Sequence, residues 1–134
     1  MLQLTTAVLL LEPGALPVFP PPPNALLAAP DPLPLQGEHL VVAPLYSVTV
    51  LSLVHAALLV APAEHVLALD GGAPLPAGTE LARLEGAPPG ADVVLLPGDA
   101  LLPARFSRAC IKPLGRALRV GRTSLPDGLR VAHV

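Results

Sequence analysis

Proline is the feature that most constrains how this chain can fold. Nineteen of its 134 residues are proline and eleven more are glycine. Proline lacks a backbone N–H, and both residue types weaken or break helices, so this density leaves room for few long helices. Nine of the prolines fall within residues 13–34, including the run Pro20 to Pro23. We therefore expect short strands joined by turns, with an extended segment near the N terminus.

The overall composition predicts a folded chain with a single core. Hydrophobic residues make up 52% of the sequence and charged residues only 13%, which is the opposite of a disordered composition. The aromatic residues are only Phe19, Tyr46 and Phe106, so Leu, Val and Ala must form the core. The length suits one domain. The lone Cys110 cannot form an intrachain disulfide.

The first 35 residues predict an arm that precedes the main domain. Residues 1–11 indicate an apolar strand, and residues 13–34 favour an extended polyproline II conformation. Apolar side chains line this stiff segment, so it is expected to lie on its own domain or on a neighbouring molecule. We assign residues 1–35 to a strand and arm, and residues 36–134 to a β-rich domain. The arm's proposed partner-interface residues are Val18, Phe19, Leu26 and Leu27.

Charge is distributed unevenly along the chain. Residues 1–82 contain six acidic and no basic residues, whereas residues 83–134 contain eight basic and four acidic residues. Cations spaced three or four residues apart can pair with carboxylates of another copy, or can form a solvated surface. Nucleic-acid binding is disfavoured because aromatic residues for base stacking are scarce. The basic residues assigned to a partner interface are Arg105, Arg108, Lys112, Arg116, Arg119 and Arg122.

Residues 40–63 admit two interpretations. They contain no Asp, Glu, Lys or Arg, and the stretch between Pro44 and Pro62 could form one helix, with Tyr46, Thr49, Ser52 and His55 near one stripe. A single-pass membrane protein spanning 40–63 is therefore the alternative hypothesis. His55 would lie near the bilayer centre, and no basic residue flanks the stretch closely. We favour two buried strands, because strands covered on both faces lose polar alternation.

The remaining segments predict an all-β fold, either a small β-sandwich or barrel that is jelly-roll-like or lambda-decoration-like, with the extended Pro-rich N-terminal arm. Short strands at intervals of about ten residues are typical of such folds. The last two strands flank a Pro-Asp-Gly turn and predict a hairpin. The predicted strands are Val66–Leu69, Thr79–Leu84, Asp92–Leu96, Ala117–Arg122 and Leu129–Val134.

No constellation of residues predicts catalysis. The spacings of His39, His55, His65 and His133 match no metal-binding pattern. A basic stretch surrounds Cys110 and could lower the pKa of its thiol, but no nucleophile pattern accompanies it. The glycine-containing turns match no phosphate-binding loop. We expect no catalytic residues, no cofactor and no metal. A small enzyme or ligand-binding barrel is a third alternative, for which no polar cluster can be nominated.

Three stretches carry a family resemblance. They are His65-Val-Leu-Ala-Leu-Asp-Gly-Gly, Pro76-Ala-Gly-Thr-Glu-Leu-Ala and Asp92-Val-Val-Leu-Leu-Pro-Gly-Asp. Together they resemble the head-decoration proteins of tailed phages, of which the phage lambda decoration protein is one. The resemblance covers roughly residues 65–102. A related alternative is the phage cement protein built on a jelly roll.

The resemblance implies a structural virion protein rather than an enzyme. Such a protein binds the outside of a phage capsid and stabilises contacts between major capsid protein subunits. Its expected partners are the major capsid protein and further copies of itself, as a homodimer or homotrimer, with no small-molecule substrate. Nucleic acid and membrane are disfavoured as partners. Its expected location is the capsid surface, after synthesis in the host cytoplasm.

Overall fold

The computed structural model describes residues 3–30, 39–98 and 100–134. Within them the strands are β1 (Leu4–Leu9), β2 (Leu26–Ala28), β3 (Leu40–Val42), β4 (His65–Asp70), β5 (Val93–Leu95), β6 (Ala104–Ser107) and β7 (Val131–His133). The helices are α1 (Val50–Val60), α2 (Gly78–Gly86) and α3 (Ile111–Arg119), the last preceded by a 3₁₀ turn at Arg108–Cys110.

The strands form one mixed sheet in the order β3-β2-β1-β4-β6-β5-β7. Strand β1 pairs in parallel with both β2 and β4, and β2 pairs in parallel with β3. Strand β6 is antiparallel to both of its neighbours, β4 and β5. Strand β7 joins the edge of the sheet in parallel with β5. The sheet is therefore parallel throughout except for β6.

Both faces of the sheet are covered. On one face, α1 and α3 pack on alternate residues of the central strands, among them Ala7, Val66 and Phe106. On the other face, Leu84 of α2 and Phe19 of the proline-rich segment pack on the intervening residues. Strand β4 is buried along almost its whole length. Because neither face meets water, the central strands carry continuous apolar runs instead of a polar alternation.

Helix α1 begins at a capping box. The hydroxyl of Thr49 accepts a hydrogen bond from the Ser52 amide at 3.1 Å, and the Ser52 hydroxyl accepts one from the Thr49 amide at 2.8 Å. These reciprocal bonds satisfy two amides that the first helical turn leaves without intrahelical partners. Residues 51–58 are all buried, since the helix lies between the sheet and α3. A helix buried on all sides is apolar all round.

The all-β prediction is wrong, because three segments assigned to strands form helices instead. Residues 50–60 form one helix rather than buried strands, and Thr79–Leu84 belongs to α2. Leu81 and Leu84 are three residues apart, so a helix turns both toward the same face of the sheet. The predicted C-terminal hairpin is also absent among the described residues, since 117–119 belong to α3 and β7 pairs with β5.

The N-terminal segment contributes to the sheet itself. The strand predicted within residues 1–11 is confirmed as β1, and the proline-rich segment contains β2. The predicted domain boundary at residue 35 lies outside the described residues and stays a prediction. In the described ranges, the alternative of a membrane span at 40–63 finds no support, because no helix there is long and apolar enough to cross a bilayer.

Replacing Thr49 with alanine is expected to lower the free energy of unfolding by about 1 kcal/mol, because the first turn of α1 loses its cap. Urea denaturation monitored by circular dichroism measures the change. The control is Thr123→Ala, at an exposed position after α3, which should leave the urea midpoint unchanged. Equal midpoints for the two variants would contradict a stabilising role for the cap.

Candidate functional site

The order of the strands marks one edge of the sheet as the place for a ligand. From β1 the chain continues to β2 and β3 on one side, whereas β4 lies on the other side of β1. Loops that follow β1 and β4 therefore diverge at the carboxyl ends of these strands. In open α/β sheets, ligands bind in the crevice outside the carboxyl ends of strands at such a point.

A cavity of about 440 Å³ lies at this edge, and we call it the carboxylate cavity. Its walls come from the segments that follow β1 and β4. Among the described residues, two acidic side chains, Glu12 and Asp70, line it, and no basic side chain does. The lining residues are Leu10, Leu11, Glu12, Ala15, Leu16, Val18, Asp70 and Gly72.

Asp70 is held at the cavity by the turn that it begins. It is the last residue of β4, and its Oδ1 atom accepts a hydrogen bond from the Gly72 amide at 2.9 Å. The Asp70 carbonyl accepts a second bond from the Ala73 amide at 3.3 Å. A side chain that bonds the backbone two residues ahead has a restricted orientation. The Asp70 carboxylate is therefore positioned before any ligand arrives.

Gly71 joins the ends of β1 and β4 to the loop after β1. Its amide donates to the Leu9 carbonyl at 2.8 Å, and its carbonyl accepts from the Val18 amide at 2.9 Å. A Cβ atom at this position would lie 2.5 Å from Leu10 Cδ2 and 3.0 Å from both the Leu9 carbonyl oxygen and Val8 Cγ1. A larger residue would press on the Leu10 and Val8 side chains and on the Leu9 backbone, so tight packing at this junction favours glycine.

A second cavity of about 490 Å³ adjoins the first, and we call it the proline cavity. The two share Leu16 and Val18 in their walls. Its surface is mainly apolar, and among the described residues His39 is the one ionisable residue that lines it, with Nε2 donating to the Pro22 carbonyl at 3.0 Å. Its lining residues are Leu16, Pro17, Val18, Phe19, Pro20, Pro21, Leu27 and His39.

The apolar residues assigned to a partner interface differ in whether the fold buries them. Phe19, Leu26 and Leu27 are buried in the chain's own core, because the segment carrying them covers or joins the sheet. Only Val18 is exposed, at 61% of its surface, and it lines both cavities. The interface itself stays a prediction, and within it Val18 is the apolar residue still open to a partner.

Arg105 is the most deeply buried of the basic residues assigned to the interface, with 1% of its surface exposed. Its Nη1 donates to the carbonyls of Leu84 at 3.0 Å and Ala87 at 2.9 Å, and its Nη2 donates to the Pro88 carbonyl at 2.6 Å. These carbonyls belong to the end of α2 and the turn after it, where carbonyl groups have no N–H donor within the helix. Arg105 therefore fastens α2 to β6 inside the fold.

The other basic interface residues remain on the surface. Arg108 donates from Nη1 to the Ala61 carbonyl at 2.8 Å, which ties the 3₁₀ turn to the end of α1. The side chains of Lys112, Arg116 and Arg119 project from α3, and Arg122 follows in the next turn, all of them exposed. The spacing of the basic residues in the sequence could not distinguish the buried Arg105 from the exposed ones. Arg105 is buried because β6 lies inside the sheet.

Histidine and acidic side chains do not converge on a metal site in the ranges that the structure covers. No group of three or more His, Cys, Asp or Glu residues within 3–30, 39–98 and 100–134 has the arrangement needed to hold an ion. His55 and His65 are buried in α1 and at the start of β4, and His133 is exposed on the edge strand β7. A bound ion would need further ligands from a substrate or from water.

Cys110 is buried where the 3₁₀ turn meets α3. Burial raises the pKa of its thiol to about 11, and the thiol lies 3.2 Å from the Asp92 carbonyl oxygen, to which it donates. The expectation that neighbouring cations lower the pKa of this thiol is wrong. The neighbouring cations Arg108 and Lys112 are exposed at the surface, whereas the sulfur is enclosed by the core.

Comparison with known proteins identifies the fold. No protein-family model matches the sequence, and no curated protein is similar to it in sequence. Among solved structures, the chain is similar to molybdopterin-guanine dinucleotide biosynthesis protein A from Archaeoglobus fulgidus, with a TM-score of 0.77 and 18% identity, over 97% of this chain and 82% of that one. It is also similar to Rv0371c from Mycobacterium tuberculosis, with a TM-score of 0.61 and 18% identity, over 99% and 87% of the respective chains.

These similarities overturn the phage interpretation. The resemblance to head-decoration and cement proteins is wrong, because the chain shares an α/β fold with proteins of an archaeon and a bacterium. The capsid-stabilising function, the major capsid protein as partner and the virion location are wrong for the same reason. The exclusion of an enzyme and of a small-molecule substrate is contradicted as well, since the Archaeoglobus protein is named for a role in biosynthesis.

Replacing Gly71 with alanine should lower the free energy of unfolding by about 1–3 kcal/mol, because the added methyl group overpacks the junction of β1 and β4. Chemical denaturation measures the loss. The control is Gly90→Ala, at a position where a Cβ would meet nothing within 4 Å, and its stability should be the same or slightly higher. If the two variants are equally stable, the junction is not as tightly packed as its distances indicate.

The Cys110 thiol should resist alkylation in the folded protein. At about pH 8, a thiol with a pKa near 11 is almost entirely protonated, and only the thiolate reacts. Mass spectrometry after iodoacetamide treatment should detect labelling of urea-unfolded protein and very slow labelling of native protein. Equal rates in the two states would show that the sulfur is accessible and ionised in the fold.

Proposed function

We propose that this chain is a nucleotide-binding enzyme that holds a nucleoside phosphate across the carboxylate and proline cavities. The observation that carries the proposal is the position of Asp70. Its carboxylate is oriented by a turn and lines a cavity at the carboxyl ends of β1 and β4. The similarity in fold to a dinucleotide biosynthesis protein supports the same edge of the sheet as the binding site.

The charge of the carboxylate cavity determines how phosphate could be bound. Glu12 and Asp70 would repel a bare triphosphate, and neither cavity has a lysine or arginine in its walls to offset them. Mg²⁺ resolves this conflict, because it binds carboxylate and phosphate oxygens together. The ligand is therefore a nucleotide that enters with its cation.

The carboxylates suit an ion that arrives with phosphate. Asp70 uses Oδ1 to accept the Gly72 amide, and no hydrogen bond within the described chain occupies Oδ2. Glu12 is exposed and lines the same cavity. Mg²⁺ is usually held by one or two carboxylates, with phosphate oxygens and water completing six ligands. When bound, the ion would neutralise phosphate charge beside these two residues.

The proline cavity suits the base and sugar of the same ligand. Leu16, Val18 and Phe19, together with neighbouring prolines, give it stiff apolar walls that a flat ring can contact. The two cavities adjoin through Leu16 and Val18, so one molecule can place its phosphates near Asp70 and its base beside the prolines. Small-molecule sites typically combine mainly apolar walls with a few oriented polar groups.

Calorimetric titration of the protein with GTP or ATP tests the proposal. We expect binding in the presence of Mg²⁺ and its loss when EDTA is added. Asp70→Asn should weaken binding about 10-fold or more, equivalent to about 1.4 kcal/mol, because Asn loses the charge but can still accept the Gly72 amide. Glu12→Gln should weaken binding less, since its side chain is exposed.

The matched control is Asp127→Asn, which removes the same charge from an exposed turn outside both cavities. This variant should bind as the parent protein does. Failure to bind either nucleotide would contradict the proposal. So would binding that is indifferent both to EDTA and to Asp70→Asn.

A further inference from the structure

A third cavity lies away from the nucleotide site, in the groove between α1 and α3. It encloses about 370 Å³, within the size range of small-molecule sites. Side chains from the loop after β3, from α1 and from α3 form its walls, and we call it the helix groove. Its lining residues are Tyr46, His55, Ile111, Lys112, Gly115, Arg116 and Arg119.

The helix groove has a strongly positive wall. Lys112, Arg116 and Arg119 follow one another at intervals of four and three residues, so they share one face of α3. In the part of the chain that the structure describes, no acidic side chain lines the groove, and the only ion pair joins Arg130 to Asp92. Three neighbouring cations without a carboxylate partner repel one another, and an anion in the groove would relieve that repulsion.

A buried polar side chain forms part of the same groove. His55 has 5% of its surface exposed, and its Nδ1 atom has no hydrogen-bond partner among the described residues. Leaving a buried polar nitrogen without a partner costs free energy. Burial also lowers the pKa of His55, so its imidazole is neutral near pH 7 and offers one donor and one acceptor.

Two further residues shape the groove around His55. The Tyr46 ring contacts the His55 ring with centroids 5.8 Å apart at an interplanar angle of 57°. Gly115 also packs on the imidazole, because an added Cβ there would lie 3.2 Å from His55 Nε2. Glycine at this position of α3 therefore brings the cationic face of the helix close to the buried imidazole.

We propose that the helix groove is a second ligand site, which binds the phosphate or diphosphate group of a small molecule. Lys112, Arg116 and Arg119 contact the anion, and the His55 imidazole lines the same groove beside it. Arginine and lysine form charge-assisted hydrogen bonds with phosphate oxygens, so no metal ion is needed here. The site therefore differs in charge and in metal requirement from the carboxylate cavity.

The single tyrosine of the chain allows this groove to be observed directly. The sequence contains no tryptophan, so intrinsic fluorescence comes from Tyr46, which lines the groove. Titration with inorganic phosphate or pyrophosphate in EDTA should change the Tyr46 emission to saturation, and added salt should weaken the binding. Using the Asp70→Asn protein keeps this result independent of the nucleotide site.

Arg116→Gln should weaken pyrophosphate binding about 10-fold or more, because it removes a charge-assisted bond. The control is Arg83→Gln, which makes the same change in charge at an exposed position on α2 and should leave the affinity unaltered. Equal weakening by both variants would show that pyrophosphate is attracted only by the overall charge of the protein, and this would overturn the proposal. The absence of any saturable change in Tyr46 emission would overturn it as well.

Sedimentation velocity separates this proposal from an interface between copies. A monomer that binds pyrophosphate supports the small-molecule site. The protein could instead form dimers that Arg116→Gln disrupts and Arg83→Gln does not. If pyrophosphate also leaves the Tyr46 emission unchanged, a second copy occupies the groove and the proposal is wrong.

Discussion

Strands β1 and β4 pair in parallel over six residues, from Leu4 opposite His65 to Leu9 opposite Asp70. Every other strand of the sheet is added outward from this pair. Both strands are covered by helices on one face and by α2 and Phe19 on the other, so apolar burial stabilises them on two sides. Their backbone polar groups are satisfied within the sheet, which leaves chemistry to the edges where the strands end.

The carboxyl edge and the opposite edge of the sheet differ in what their polar side chains contact. At the carboxyl edge, Gly71 lets two backbones approach closely, and Asp70 is thereby presented to a cavity. At the far end of α2, the buried Arg105 guanidinium satisfies several carbonyls at once. Asp70 is therefore open to a ligand at one edge, whereas Arg105 is bonded internally and fastens α2 to the sheet.

Sequence reasoning located strands better than helices. Strands β1, β5 and β7 fall within predicted strand segments, and the predicted segment Val66–Leu69 lies inside β4, because these apolar runs are bounded by turn residues. Helix α1 was the alternative that was not favoured, and α2 and α3 were missed, since short apolar segments fit either periodicity and proline density argued against helices. Pro113 shows the flaw in that argument, because it lies in the first turn of α3, where its missing N–H costs nothing. Asp70-Gly71-Gly72 could be recognised only as a turn.

By itself, the sequence determined the buried character of the central strands, the turn after β4 and the separation of acidic from basic residues. Only the tertiary structure decided which of these residues meet. Glu12 and Asp70 share a cavity because β1 and β4 are neighbours in the sheet. Parallel neighbours are joined by long crossover connections, so local sequence patterns do not predict which strands pair. Likewise, similar spacing put Arg105 in the core and Arg116 on a groove, because packing rather than periodicity determines what each side chain faces.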